Sequence, residues 1–388
     1  MRIAILGSVA LPVPPPAQGG TEWIAYFQAS GLAKLGHDVI LFAAKGSKKE
    51  KGYELVEVGG GDTVVGSRKR EAGSGKPDVE SSIPNSSTVH SQLSKFAPSD
   101  FPNKLQDNLN IESSRGLRKE NVYLSQVMEQ LIERKDDYDL ILNNMRGEAV
   151  FLPVAKMLNK PFVNVMHLPL FDELVEVFRK YNTHVITISN AQRKGFDELN
   201  YLATVNNCVD TDKFTFNPTP QDYILMMGSI TPHKNQASAV RIAKKLGMKL
   251  ILAGKINDKK YFEELKKDID GEKIQYFGEL DFDQKVELYR NAKAFIFPIL
   301  WEEPFGLVMI EAMSCGTPVV AFGNGAIPEV VVDGMTGFVI SNNDEEAMER
   351  VIQSIDQIKR EDCRRHVEEN FTVEKMVKDY EKALLILR

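Results

Sequence analysis

Short, unbroken apolar runs alternate along this chain with longer stretches of helical periodicity, and the alternation passes through two successive series. RIAILG (2–7) has no polar face, as expected of a strand covered on both sides. A proline-rich loop leads from it to Gly19-Gly20. TEWIAYFQASGLAKLG (21–36) then repeats apolar residues at helical spacing up to a glycine stop, and DVILFAA (38–44) is a second buried strand. Strand, helix and strand in this order form a βαβ unit, which requires a parallel sheet.

The unit recurs. VYLSQVMEQLIERK (122–135) and AVFLPVAKMLN (149–159) read as helices, and DLILNN (139–144), PFVNVMHL (161–168) and HVITIS (184–189) as strands. A helix over 190–200 and the segment 201–210 complete the first series, and NPTPQD (217–222) interrupts it. The second series supplies strands at YILMMGSI (223–230), KLILAG (249–254), KIQYFGEL (273–280), AFIFPIL (294–300) and PVVAFG (318–323), with helices between them. The expected class is α/β, with two doubly wound parallel-sheet domains at 1–215 and 216–370. A chain of 388 residues also exceeds one comfortable core at about 100–200 residues per domain.

Two segments stand outside the pattern. Residues 46–118 are rich in Ser, Gly, Lys and Pro and read as an irregular insertion, either a mobile surface loop or a lid in which Lys69, Arg70 and Lys76 meet an acidic acceptor. FTVEKMVKDYEKALLILR (371–388) is an amphipathic helix, expected to pack back on the N-terminal domain. Its Lys375, Lys378, Lys382 and Arg388 keep open a second reading, peripheral contact with the inner face of a membrane.

Composition narrows the partners. A net charge of −6 supplies no global field for nucleic acid. Cys208, Cys315 and Cys363 have no close spacing, which argues against a disulfide framework or a cysteine zinc site and fits a reducing cytoplasm. The N-terminal run breaks at prolines, so it reads as a strand and not as a signal peptide, and no apolar run reaches the roughly 18 residues of a spanning helix.

The chemistry concentrates in WEEPFGLVMIEAMSCGTPVVAF (301–322). A carboxylate in an apolar run is costly unless a polar group meets it, yet Glu303 and Glu311 flank Phe305-Gly306-Leu307 there. Pro304 and Gly306 suit a helix start near Phe305, whose first N–H groups lack internal partners and attract a phosphate. Glu311 then falls one turn on, within reach of vicinal hydroxyls such as those of a ribose, and Glu303 faces whatever is attached beyond the phosphate. One nucleotide-sugar would satisfy all three. The plainer alternative is a capping Glu303 and a solvent-facing Glu311. Lys234 follows a buried strand as a point charge for phosphate oxygens, His167 ends a strand at the edge where such folds bind ligands, and Gly19-Gly20 expose amides ahead of a helix.

EPFGLVMIE resembles the E-x7-E motif of the retaining glycosyltransferases of family 4, which have the GT-B fold of two Rossmann-like domains facing across a cleft. PVPPPAQGGTE (12–22), PFVNVMHLPL (161–170), ITISNAQRKGF (186–196), GSITPHKN (228–235), FGEL (277–280) and EVVVDGMTGFVI (329–340) resemble further segments of that family, in order. The resemblance implies Glu303, Lys234 and His167 as catalytic residues, with Glu303 on donor sugar hydroxyls, Lys234 on the diphosphate and His167 on the sugar from across the cleft. It implies donor contacts at Ser229, Phe305, Gly306, Leu307, Glu311 and Gly278, and a sugar and acceptor loop at Gly19 and Gly20. Ser229 stands where the family often has an arginine that shares the diphosphate with the lysine. The expected reaction is metal-independent transfer, with retention, from a UDP-, GDP- or ADP-linked sugar to a hydroxyl of a sugar, lipid-linked or small-molecule acceptor. No cofactor and no metal are expected, because Asp210-Thr211-Asp212 reads as a turn and Asp281-Phe282-Asp283 as a helix cap. A non-catalytic binding protein and a phosphorylase or synthase on the same scaffold are the alternatives. The missing G-x-G-x-x-G after the first strand argues against a dinucleotide enzyme.

Overall fold

A computed structural model describes residues 1–16, 19–61 and 103–388, the last segment with side chains from 115 onward. Its strands form two all-parallel sheets. The first contains β1 (Arg2–Ser8), β2 (Asp38–Ala43), β3 (Tyr53–Glu57), β4 (Leu140–Asn143), β5 (Phe162–Met166), β6 (His184–Thr187) and β7 (Tyr201–Thr204) in the order β3-β2-β1-β4-β5-β6-β7. The second contains β8 (Tyr223–Met227), β9 (Lys249–Ala253), β10 (Ile274–Tyr276), β11 (Ala294–Phe297), β12 (Val319–Phe322) and β13 (Gly337–Ile340) in the order β10-β9-β8-β11-β12-β13. The central strands β1, β8, β11 and β12 are nearly continuous apolar runs because helices cover both faces of the sheets.

In both sheets the chain works outward from its first strand, then returns to that strand's other side. Ile3 is in register with Val39 on one side and Leu140 on the other, and Ile224 likewise with Leu250 and Ala294. The reversals between β1 and β4 and between β8 and β11 open a crevice at the carboxyl ends of the strands, where doubly wound folds bind ligands. The Gly19-Gly20 loop leaves β1, Ser229 and Lys234 follow β8, and Glu303 follows β11.

One apolar cluster joins a face of the first sheet to the second lobe, through Ile24, Phe27 and Leu32 of helix Gly20–Lys34. A second lies on the sheet's other face beneath helix Asn103–Glu133, with Leu124, Val127 and Leu131 buried. Helix Val373–Leu385 crosses back to the first lobe, burying Met376, Val377, Tyr380, Ala383 and Leu384 as it packs against helix Gly20–Lys34. His37 Nε2 meets Glu381 Oε1 at 2.9 Å beside it. A third tie is Glu329 of the second lobe, whose carboxylate accepts the N–H groups of Asn190 at 2.8 Å and Ala191 at 2.6 Å.

Several elements differ from the sequence reading. The stretch 46–118 is not irregular throughout. Tyr53, Leu55 and Val56 form β3 on the edge of the first sheet, and a long helix begins at Asn103. Lys69, Arg70 and Lys76 lie outside the described residues. Residues 190–200 form only a 3-10 turn at Ala191–Arg193, because Lys194 leaves helical geometry at φ −57° and ψ 119°. The Gln192 amide there binds Ile188 N and the Met166 and Leu168 carbonyls. Strand β11 stops before Pro298, which has no N–H to extend a ladder. Among the described residues no helix is long and apolar enough to cross a membrane.

Candidate active site

Beyond β11 the chain must turn inside a packed lobe, and neighbouring loops satisfy its backbone. Asn235 Nδ2 donates to the Pro298 carbonyl at 2.9 Å, Asn324 Nδ2 to that of Ile299 at 2.7 Å, and Ala326 N to that of Glu303 at 2.8 Å. This fixes Glu303, which is 9 % exposed. Its Oε2 accepts from Lys234 Nζ and from Trp301 Nε1, both at 2.9 Å. Lys234 comes from the 3-10 turn Pro232–Lys234 after β8, and its ammonium lies 5.3 Å from the Phe297 ring and 5.1 Å from that of Trp301. The costly carboxylate is therefore paired, and Oε1 has no partner among the described residues.

Helix Leu307–Ser314 starts directly after this pair. Gly306 turns the chain into it at φ 87°, where a Cβ would lie 2.5 Å from Met309 Cε. The N–H groups of Gly306, Leu307 and Val308 meet no acceptor among the described residues. They present the positive end of the helix. Phe305 contributes backbone alone, since its ring is buried against Phe371.

Glu311 projects one turn further on. Lys285 Nζ donates to its Oε1 at 2.7 Å and the Tyr289 hydroxyl to its Oε2 at 3.0 Å. Both come from one face of helix Phe282–Asn291, at the i, i+4 spacing. Asp281 starts that helix with a capping box, its side chain accepting from Gln284 N. Burial, then the adjacent Glu311 charge, pushes the Tyr289 phenol far up, so it remains a donor. Sequence reasoning missed Lys285 and Tyr289. Their i, i+4 spacing is the available signal, but nothing in it points to Glu311.

The first lobe reaches this helix closely. A Cβ on Gly20 would fall 2.6 Å from Leu307 Cδ1. Gly19, Gly20, Trp23, Lys285, Leu307 and Glu311 line one cavity of about 480 Å³ between the lobes. Beside it Glu22 is buried and accepts from Ser8 Oγ at 3.0 Å, and burial raises its carboxyl pKa.

The other predicted residues have hydrogen-bond partners of their own outside these pairs, although Asp210 lines the same cavity as Lys285 and Glu311. His167, at the end of β5, contacts Asn144 Oδ1 through Nε2 at 2.9 Å, and burial lowers its pKa to about 4. The Ser229 carbonyl accepts from Gln236 Nε2 at 2.9 Å, and the Gly278 carbonyl from Gly254 N at 2.8 Å. Asp210 pairs with Lys213 at 3.2 Å.

Residues 210–370 match the family model described as Glycosyl transferases group 1. D-inositol 3-phosphate glycosyltransferase of Mycolicibacterium smegmatis is 29% identical over 178 residues, 41% of this chain and 39% of that protein. O-antigen chain mannosyltransferase RfbU of Salmonella typhimurium is 24% identical over 197 residues, 48% of this chain and 55% of that protein. The aligned parts thus span about half or less of these curated relatives. Among solved structures, Anabaena Alr3699/HepE in complex with UDP and glucose superposes with a TM-score of 0.69 at 16% identity, over 100% of both chains. AviGT4, a glycosyltransferase involved in avilamycin A biosynthesis, does so with a TM-score of 0.66 at 20% identity, over 100% of this chain and 98% of that one. The chain therefore has the GT-B fold, and its residues 210–370 carry the sequence pattern of the group 1 glycosyl transferases.

Proposed function

We propose that the protein transfers a sugar from a nucleotide-sugar donor to an acceptor hydroxyl, with retention of anomeric configuration and without a metal ion. The observation that carries this reading is the pair of lysine-matched carboxylates on either side of the open amides of Gly306 and Leu307. A nucleotide-sugar has the matching order of groups: hexose hydroxyls for the free Oε1 of Glu303, diphosphate for the helix start, ribose hydroxyls for Glu311. A solved neighbour crystallised with UDP-glucose supports the choice of ligand class.

Charge develops on the leaving diphosphate as the glycosidic bond breaks. Oriented amides and Lys234 stabilise that charge, at about 3–4 kcal/mol per well-placed donor. Asp281 is committed as a helix cap, which supports charge balance by amides and lysines in place of an Asp-bound cation. Front-face attack by the acceptor, with the leaving phosphate as base, accounts for retention without a protein nucleophile. Approach of the two lobes excludes water, whose attack would hydrolyse the donor.

The test is a panel of UDP-, GDP- and ADP-sugars incubated with the purified protein and simple acceptors in the presence of EDTA. Release of a nucleoside diphosphate coupled to a glycoside that keeps the donor's anomeric configuration is the expected result. Inversion, or activity that needs an added divalent ion, overturns the corresponding part. Binding without turnover of any donor overturns the enzyme reading itself.

A further inference from the structure

Two hydrogen bonds run from lobe to lobe at a single side chain. Glu329 Oε2 accepts the N–H of Asn190 at 2.8 Å, and Oε1 accepts that of Ala191 at 2.6 Å. Among the described residues, no other hydrogen bond joins residues 1–205 to residues 216–370 directly. Each end of this contact lies close in sequence to a loop that borders the crevice. On the second lobe Glu329 belongs to the single helical turn Ile327–Val330, and its own N–H meets the Ala326 carbonyl at 2.9 Å. Ala326 N in turn holds the Glu303 carbonyl at 2.8 Å, and a Cβ on Gly325 would lie 2.3 Å from that same oxygen. On the first lobe Ala191 is followed by Gln192, whose Nε2 donates to the Met166 carbonyl at 3.0 Å and the Leu168 carbonyl at 3.2 Å. The contact therefore couples the backbone that carries Glu303 to the loop after β5 on the opposite wall.

The two partners are built to meet and to part. The turn at Asn190 is held from its own lobe, since Thr204 Oγ1 donates to Asn190 Oδ1 at 2.9 Å and the Arg193 guanidinium lies 4.5 Å from the Tyr201 ring. Its two N–H groups are thus presented in a fixed direction. Glu329 and Asn190 are both exposed, so water can take the place of either partner without stranding a buried charge. Helix Val373–Leu385 differs, because it cannot leave helix Gly20–Lys34 without uncovering Met376, Val377 and Leu384. We propose that Glu329 is a positioning residue that closes the lobes for transfer. By gripping the turn at Asn190 it sets the distance between the Glu303 loop and the loop after β5, and its release lets donor enter and product leave. A contact made in only one of two states biases the equilibrium toward that state. The inference rests on the reading of the cleft as a donor site, and it leaves the nucleotide contacts at Glu311 and the Gly306 and Leu307 amides unaltered.

Small-angle X-ray scattering of the full chain reads the separation of the lobes without any turnover. Glu329→Ala should enlarge the radius of gyration and the maximum dimension relative to wild type. Glu329→Gln keeps an oxygen acceptor for one of the two N–H groups and should fall between them. With the donor that the wild type uses, Glu329→Ala should lower kcat about five- to tenfold, the value of roughly one net hydrogen bond. The share of donor lost to hydrolysis should rise by a similar factor, because a cleft that closes less often admits water. The Kd of the nucleoside diphosphate should be unchanged, since the contacts proposed for it all lie in the second lobe. Scattering identical to wild type, or hydrolysis and transfer in the wild-type proportion, overturns the closing role. A Kd weakened as much as kcat marks a disturbed second lobe and overturns it as well. Absence of transfer by the wild type, with the scattering change as described, refutes the donor reading and leaves Glu329 as the residue that sets the lobe separation.

Discussion

Replacing Glu311 by Ala should weaken binding of the nucleoside diphosphate while leaving the fold in place. A carboxylate has about four acceptor sites, and here Lys285 and Tyr289 occupy two of them. Two remain for a pair of vicinal hydroxyls, so binding need not break the existing contacts. Hydrogen bonds to a charged group are worth about 1.5–3 kcal/mol each, and ordering of the ribose and loss of its water offset part of that sum. A net loss of about 2–4 kcal/mol follows, a factor of about 30 to 1000 in Kd. Lys285 is 24% exposed and lines the open cavity, so in the variant its ammonium can turn toward solvent, and the fold loses little. Calorimetric titration with UDP, GDP and ADP gives the assay, and 2′-deoxy analogues sharpen it. Wild-type protein should discriminate against the deoxy ligand, and Glu311→Ala should not. Equal Kd values for wild type and variant, or discrimination that survives the substitution, would refute the ribose assignment.

Glu303→Gln keeps the shape and the Trp301 contact but removes the charge, and should lower kcat far more than it alters donor KM in steady-state assays. Lys234→Met strands Glu303 without its cation at a site where the two side chains are 16% and 11% exposed. It should cost about 3 kcal/mol of stability in denaturant titration and also reduce diphosphate affinity. The double variant with Glu303→Gln should recover much of the stability but not the affinity. Burial raises the folded-state pKa of Glu22, so its contribution to stability is full below its unfolded value and is lost as pH rises through the folded one. Glu22→Gln should therefore raise Tm relative to wild type at neutral pH, and the gain should vanish in acid.

The lobes are legible in the sequence because a strand covered on both faces is a continuous apolar run, and few other structures produce runs like RIAILG and YILMM. The edge strand β3 is not, since Tyr53, Leu55 and Val56 alternate with Glu54 and Glu57 beside a Gly- and Ser-rich stretch. The helix expected at 190–200 fails for a tertiary reason. Gln192 spends its amide on the backbone of Ile188, Met166 and Leu168, which anchors the turn and ends helical progress. In the site, the spacing of Glu303 and Glu311 around Gly306 is a local signal and can be read directly. Their partners are not local. Lys234 lies 69 positions from Glu303 and Lys285 lies 26 from Glu311, so only the sheet order brings each lysine to its carboxylate. Glu329, which ties the lobes through Asn190 and Ala191, carries no sequence signal beyond an acid near a helix start.

A crystal structure of the protein with its preferred nucleotide-sugar would put the account to its most direct trial. Ribose hydroxyls on Glu311, a diphosphate oxygen at the amides of Gly306 and Leu307, and a hexose hydroxyl on Glu303 Oε1 are the contacts it should show. A donor seated elsewhere, or one that leaves Glu303 and Glu311 touching only the protein groups they touch without ligand, would contradict it.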